Sequence, residues 1–164
     1  MSFQRMQFGQ GFDTSVMENP IETLVNLLKE ELTVSDDDGA PIDGVVSGGW
    51  YDKKIFDSKG WQVTVTSVSS DRRIMDQGAF HAWYEGLYSF NIWIHDKRNV
   101  NYTPERIRWD LTQRIDDILY RDMFSPGDVK YENVTGWRDI DDSENKILRS
   151  EVKVMTYYIK KRLP

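Results

Sequence analysis

The stretch Thr103 to Met123, T-P-E-R-I-R-W-D-L-T-Q-R-I-D-D-I-L-Y-R-D-M, constrains the fold more than any other part of this chain. Thr103 carries the hydroxyl of a good N-cap, and Pro104 suits the first helical position, where its missing N–H costs nothing. Ile107, Leu111, Ile115, Ile118 and Leu119 recur at spacings of three and four and so share one face. Arg106, Asp110, Arg114, Asp117 and Arg121 alternate in sign on the other side, as a solvated helix surface does. Phe124-Ser125-Pro126-Gly127 stops the helix. An alternating apolar segment, Leu87 to Ile94, precedes it, and two more follow, Val129 to Trp137 and Ile147 to Ile159. A helix of this kind amid such strands must bury its stripe against a sheet. The expected fold class is α+β: a mostly antiparallel sheet of four to six strands, two amphipathic helices packed on it, and a long C-terminal hairpin.

The other helix is announced by Asn19-Pro20-Ile21-Glu22, a cap, a proline and an acidic residue at the third helical position. Ile21, Leu24, Val25, Leu28 and Leu32 form its stripe. At 164 residues a single domain is expected, spanning 19–164 behind an extended arm at 1–18. In that arm Phe3, Phe8 and Phe12 are scattered among Gln and Gly without a period. Two readings stand: a disordered terminus, or an arm whose aromatics anchor on a neighbouring subunit. The chain has six Trp, eight Tyr and seven Phe. Most must fill the core, but aromatics are also the residues that interfaces enrich.

Between the helices, Asp36-Asp37-Asp38-Gly39 opens an acidic loop. A calcium loop needs a bidentate Glu at its twelfth position; counted from Asp36 that position is Ser47, so a solvated turn is expected. Ile42 to Val46 and Trp50 to Phe56 read as two short strands around Gly48-Gly49, and Trp61 to Thr66 as a half-buried one. Ser69 to Gly86 holds Arg72, Arg73, Met75, Phe80, Trp83 and Tyr84 without a clear period. It is either a segment that orders on assembly or a short extra helix. Leu87 to Ile94 is apolar on both faces and reads as a central strand. The last segment spans fifteen residues, roughly 50 Å if extended, so part of it should overhang the domain or bend. Overhanging strands offer backbone that a neighbouring subunit can pair with. Asp139, Asp141, Asp142 and Glu144 form the acidic turn before it.

Chemistry is harder to find. Net charge is −6, from 27 acidic and 21 basic residues, which argues against free nucleic acid as a partner. The absence of cysteine excludes disulfides, thiolate metal sites and cysteine nucleophiles. No apolar run approaches the roughly 20 residues that span a bilayer. The first residues lack the apolar core of a signal peptide, so synthesis in a cytosol is expected. His81 and His95 lack the spacing of a metal pair. No hydrolase elbow, phosphate loop or dinucleotide turn appears. The pairs Asp116-Asp117 and Asp141-Asp142 sit on a helix surface and in a turn, where carboxylates are ordinary. Asn101-Tyr102-Thr103 and Asn133-Val134-Thr135 match glycosylation acceptors but carry no weight without a secretory signal. The expectation is a protein that is not an enzyme and holds neither metal nor cofactor.

With its arm, its element order and its acidic hairpin turn, the chain resembles the tail terminator (tail completion) proteins of long-tailed bacteriophages, the lambda-type family. P-I-E-T-L-V-N-L-L-K-E-E-L, W-Q-V-T-V-T-S-V, L-Y-S-F-N-I-W-I, R-I-R-W-D-L-T-Q-R-I-D-D-I-L and S-E-V-K-V-M-T-Y-Y-I carry the resemblance, over about residues 19 to 160. The related head–tail joining proteins have similar α+β subunits and fit as well. The resemblance implies a virion subunit, assembled in the host cytoplasm, that closes into a homo-hexameric ring. That ring would bind the tail tube protein, stop tube growth and offer a docking surface to head-completion or connector proteins. DNA would pass through its lumen without specific binding, and no membrane is involved. The family carries no catalytic residues. Under this reading Phe3, Phe8, Phe12, Arg72, Arg73, Met75, Phe80, Trp83, Asp139, Asp141 and Asp142 are the expected interface residues. An alternative from another class is a small-ligand-binding α+β regulatory module with a pocket around Trp83, Trp93 and Trp109. A third, an enzyme using paired carboxylates, has the least support.

Overall fold

The long apolar alternations become long strands. In the computed structural model, which describes residues 20–57, 59–74, 81–123, 129–133 and 135–161, the elements in chain order are α1 (Pro20–Glu31), β1 (Gly44–Gly48), α2 (Lys53–Asp57), β2 (Trp61–Ile74), β3 (His81–His95), α3 (Pro104–Met123), β4 (Val129–Asn133), β5 (Arg138–Asp139) and β6 (Ile147–Lys161). The arm at 1–18 with Phe3, Phe8 and Phe12 lies outside the described residues, as do Met75 and Phe80.

The sheet runs β1-β2-β3-β6-β4, with β5 also paired to β6. Only the β1–β2 pair is parallel. The fold is therefore α+β with a mostly antiparallel sheet and two amphipathic helices, as the periodicities predict. β3 is central: it pairs β2 along one edge and β6 along the other, from His81↔Lys161 to His95↔Ile147.

Strand periodicity divides the sheet into two faces. Trp61, Val63 and Val65 of β2 lie in register with Ile94, Ile92 and Phe90 of β3, which oppose Leu148, Ser150 and Val152 of β6. This face is dry. It packs on Leu24, Val25 and Leu28 of α1 and on Ile107, Leu111 and Ile115 of α3, all buried. Thr103 starts α3 as its sequence predicts, its hydroxyl accepting from the Arg106 N–H at 3.3 Å.

The opposite face carries Gln62, Thr64, Ser89 and Asn91, all buried, and Trp93. The chain reaches it after β1 by a turn at Gly49, whose φ of +89° suits glycine. Residues 50–57 then cover one end of this face, with Tyr51 and Phe56 packed on Trp93 and Ile147. The expected strand from Trp50 to Phe56 is thus a loop and a short helix. Its cause is Asp52, whose carboxylate accepts from Lys54 N at 2.8 Å and whose carbonyl accepts from Phe56 N at 2.8 Å, an N-cap that the alternation hid.

Other expectations need correction. The described residues of Ser69 to Gly86 include no helix: residues 69–74 and 81–86 extend β2 and β3, paired from Ser69↔Leu87 to Ile74↔Ala82. A bulge between Ser67 and Ser69 leaves Val68 half exposed and shifts the alternation by one, which erases the period. Of the expected strand Val129 to Trp137, the described residues form strand only over Val129–Asn133, which is β4 and pairs five residues of β6; β5, at Arg138–Asp139, follows it and pairs two. Trp137 leaves the ladder to pack against the core, its Nε1 donating to Asp116 Oδ1 at 3.0 Å. The full-length partner of β6 is β3, where one long C-terminal hairpin was expected.

Candidate functional site

Of the three aspartates singled out in the turn before β6, Asp139 and Asp141 converge on a helix. Arg108 of α3 reaches Asp139 Oδ2 at 2.6 Å and Asp141 Oδ1 at 2.7 Å, with its own side chain only 15% exposed. Asp139 also accepts from the Ser150 hydroxyl at 2.6 Å, and Asp141 from Arg149 N at 3.1 Å. Burial disfavours the Arg108 charge, but bonds and field from Asp141 and Asp139 outweigh it, and the guanidinium is held more firmly protonated than usual. Arg108 Nε is buried with no partner among the described residues. Asp142 folds back on Asn145, whose side chain and backbone N–H bond its carboxylate and draw its pKa below the ordinary aspartate range. Within one subunit, then, Asp139 and Asp141 lock the turn before β6 onto α3, while Asp142 closes the turn on itself.

The acidic loop behaves likewise. Asp36 Oδ1 accepts from the N–H groups of Asp38 and Ala40 at 2.9 Å, and Asp37 pairs with Arg106. It is a capped turn, as expected, and Gly39 supplies its positive φ.

Arg72, Arg73 and Trp83 lie beyond the bulge on the paired ends of β2 and β3, with Arg73 opposite Trp83 and Arg72 opposite Tyr84. Strands of 14 and 15 residues span roughly 45–50 Å, while the 20 residues of α3 span about 30 Å. The sheet therefore outruns its helical layer. β1 pairs only Trp61 to Val65 of β2, so from Thr66 to Ile74 the outer edge of β2 has no strand beside it among the described residues.

A site that sequence reading missed occupies the polar face. Arg149 sits in a corner between two indoles, its guanidinium carbon 4.8 Å from the Trp50 ring and 4.9 Å from the Trp93 ring. The two rings meet edge to face at 4.8 Å. Arg149 Nε donates to Asn91 Oδ1 at 2.9 Å, Asn91 Nδ2 to Ser89 Oγ at 3.0 Å, and Ser89 Oγ to Glu151 Oε2 at 2.6 Å. Glu151 also meets Arg138 at 3.1 Å and Lys153 at 3.4 Å. Burial raises the Glu151 pKa, yet the Ser89 hydroxyl, Arg138 and Lys153 overcome it and hold the carboxyl below the usual glutamate range. The signal was available: Arg149, Glu151 and Lys153 alternate along β6, so all three face one side.

A cavity of about 400 Å³ opens elsewhere, between the C-terminal end of α1 and β1, with Leu32, Val34, Ile42, Val46 and Trp61 as apolar walls and Lys29 at its rim. It is not the pocket expected around Trp83, Trp93 and Trp109. Trp93 projects from the polar face, whereas Trp109 is 64% exposed on α3, across the sheet. His95 stacks on Phe56 at 3.9 Å and lies 3.6 Å from Asp57. Among the described residues no group of three or more His, Asp or Glu could hold a metal ion, and no helix is long and apolar enough to cross a membrane.

The class these features define is a two-layer α+β protein with one dry and one polar sheet face. No protein-family model and no curated protein sequence matches the chain.

Proposed function

We propose that this chain is a structural subunit of a long-tailed bacteriophage, whose copies close into a ring that caps the tail tube, ends its polymerisation and presents a surface for head docking. The observation that carries this reading is the extension of the sheet past its helices, with the β2 edge from Thr66 to Ile74 lacking a strand among the described residues. Such an edge is a template for pairing with another chain. Arg72, Arg73 and Trp83 fall on this extension, which favours them as interface residues. The same geometry serves a head–tail connector, and the choice depends on which end of the tube or head the ring binds. The test is the mass of the purified chain by light scattering, together with tube growth in its presence. A discrete ring that halts tube polymerisation is expected; a monomer at every concentration, with tube growth unaffected, overturns the proposal.

The cavity beside β1 favours a second reading, a small-ligand-binding module, because its walls are apolar and Lys29 offers one charge at the rim. Thermal stabilisation of the chain by a small amphipathic carboxylate would support that reading, and its loss in Val46→Trp would place the ligand there.

A further inference from the structure

We infer that the corner formed by Trp50, Trp93 and Arg149 receives a carboxylate from a second copy of this chain, presented by the outer side of its α3, where Glu105 and Asp117 lie exposed on either side of Trp109. The inference rests on the ring reading and names the contact that would close it.

Arg149 is fixed on three sides before any partner arrives. Its Nε is bonded to buried Asn91, its guanidinium carbon lies 4.8 and 4.9 Å from two indole centroids, and its backbone N–H is held by Asp141. Among the described residues the ion-pair partner of the remaining guanidinium nitrogens is Glu151 Oε2, at 4.0 Å, too far for a hydrogen bond. A planar fork held rigid with its outer donors free matches a carboxylate, which it can grip by two bonds at little entropic cost. The charge balance points the same way. Arg138, Arg149 and Lys153 share the single carboxylate of Glu151, a local positive excess on a chain of net charge −6. Trp50, 54% exposed beside this fork, presents a large aromatic surface to water, and Trp with Arg are the residue types that dominate interface energetics.

The complement lies on the other side of the same molecule. α3 packs on the dry face, so its outer side points away from the corner. Glu105 and Asp117 are exposed there, enter no ion pair among the described residues, and flank an indole left 64% exposed. Matching surfaces on opposite sides of one subunit make a head-to-tail contact, the kind that closes into rings.

A charge exchange tests this. Arg149→Glu alone, and Glu105→Arg with Asp117→Arg alone, are each expected to stay monomeric at concentrations where the wild type assembles. An equimolar mixture of the two is expected to assemble again, because every contact in an alternating ring then joins opposite charges. That recovery also shows both variants are folded. Trp50→Ala is expected to weaken assembly by roughly tenfold or more, the effect of losing a central aromatic anchor. If the wild type assembles and either charge variant does so equally well, or if the mixture fails to recover, the corner is not this contact although the ring reading stands. A wild type that stays monomeric throughout overturns the ring reading itself, and this inference with it.

Discussion

The indole of Trp61 lies across Gly44, so close that a Cβ at position 44 would stand 2.0 Å from its Cε2. Trp61 is held there by its own Nε1, which donates to Ile42 O at 3.1 Å, so the ring cannot swing aside without losing that bond. Gly44→Ala therefore forces the first residue of β1 away from β2 or strands the indole. A loss of about 1–3 kcal/mol is expected, the usual cost of overpacking. Denaturant unfolding measures it, and an unchanged midpoint would mean that the Trp61 indole is not pinned over Gly44.

Arg108 bridges Asp139 and Asp141, in a site where it is itself 15% exposed. Arg108→Met keeps much of the packing but leaves two carboxylates facing each other without their cation. Arg108 is shielded, but the Asp139 and Asp141 side chains are 59% and 42% exposed, so water screens part of the loss. A loss of about 1–2 kcal/mol, or roughly 2–8 °C in Tm for a chain of this size, is expected. Thermal unfolding reads the shift. Replacing the two aspartates by Asn in the Arg108→Met background should recover part of it, because the repulsion is then gone.

How far these features could be read in advance follows from how local their causes are. The α3 helix was legible because cap, stripe and stop all lie within one stretch from Thr103 to Gly127. The centre of the sheet was legible because Leu87 to Ile94 and Ile147 to Ile159 alternate without interruption. The end of β2 was not, since one extra residue at Val68 inverts the alternation that a strand is recognised by. The end of β3 has no such break and carries Glu85 and Gly86 where an apolar alternation would be looked for. Asp52 turned an apparent strand into α2 by a single capping bond. Arg108 is more than thirty positions from Asp141, and Trp50 is brought to Arg149 only by folding, so neither site leaves a local pattern. Acidic residues expected at an interface were found first to stabilise their own monomer.

Glu151 ties stability to acid pH. Its folded pKa lies below the ordinary glutamate value because Ser89, Arg138 and Lys153 favour the carboxylate more than burial disfavours it. A carboxyl whose pKa is depressed by folding contributes its full stability above its unfolded pKa and loses it as pH falls through the folded one. Stability should thus be level near neutrality and decline as pH drops below the usual glutamate range. Glu151→Gln should start lower but decline less steeply over the same interval. Parallel acid profiles for the two proteins, by denaturant unfolding at stepped pH, would reject the assignment.

The polar face also contains a buried bond whose worth can be isolated. Trp93 Nε1 donates to Thr64 Oγ1 at 2.9 Å, and both residues are almost wholly buried. Trp93→Phe removes the donor, leaves the Thr64 hydroxyl without its partner and opens space beside Arg149, so a loss of about 2–4 kcal/mol is expected. Thr64→Val removes the acceptor instead and leaves the indole N–H unpaired, for about 1–3 kcal/mol. With both changes made, no polar atom of this pair is stranded, and the double variant should be more stable than the sum of the single losses predicts. The expected coupling is about 1 kcal/mol, read from a double-mutant cycle in denaturant. Strict additivity would show that the two groups do not meet in solution, and that the polar face is held by the Arg149 and Glu151 network alone.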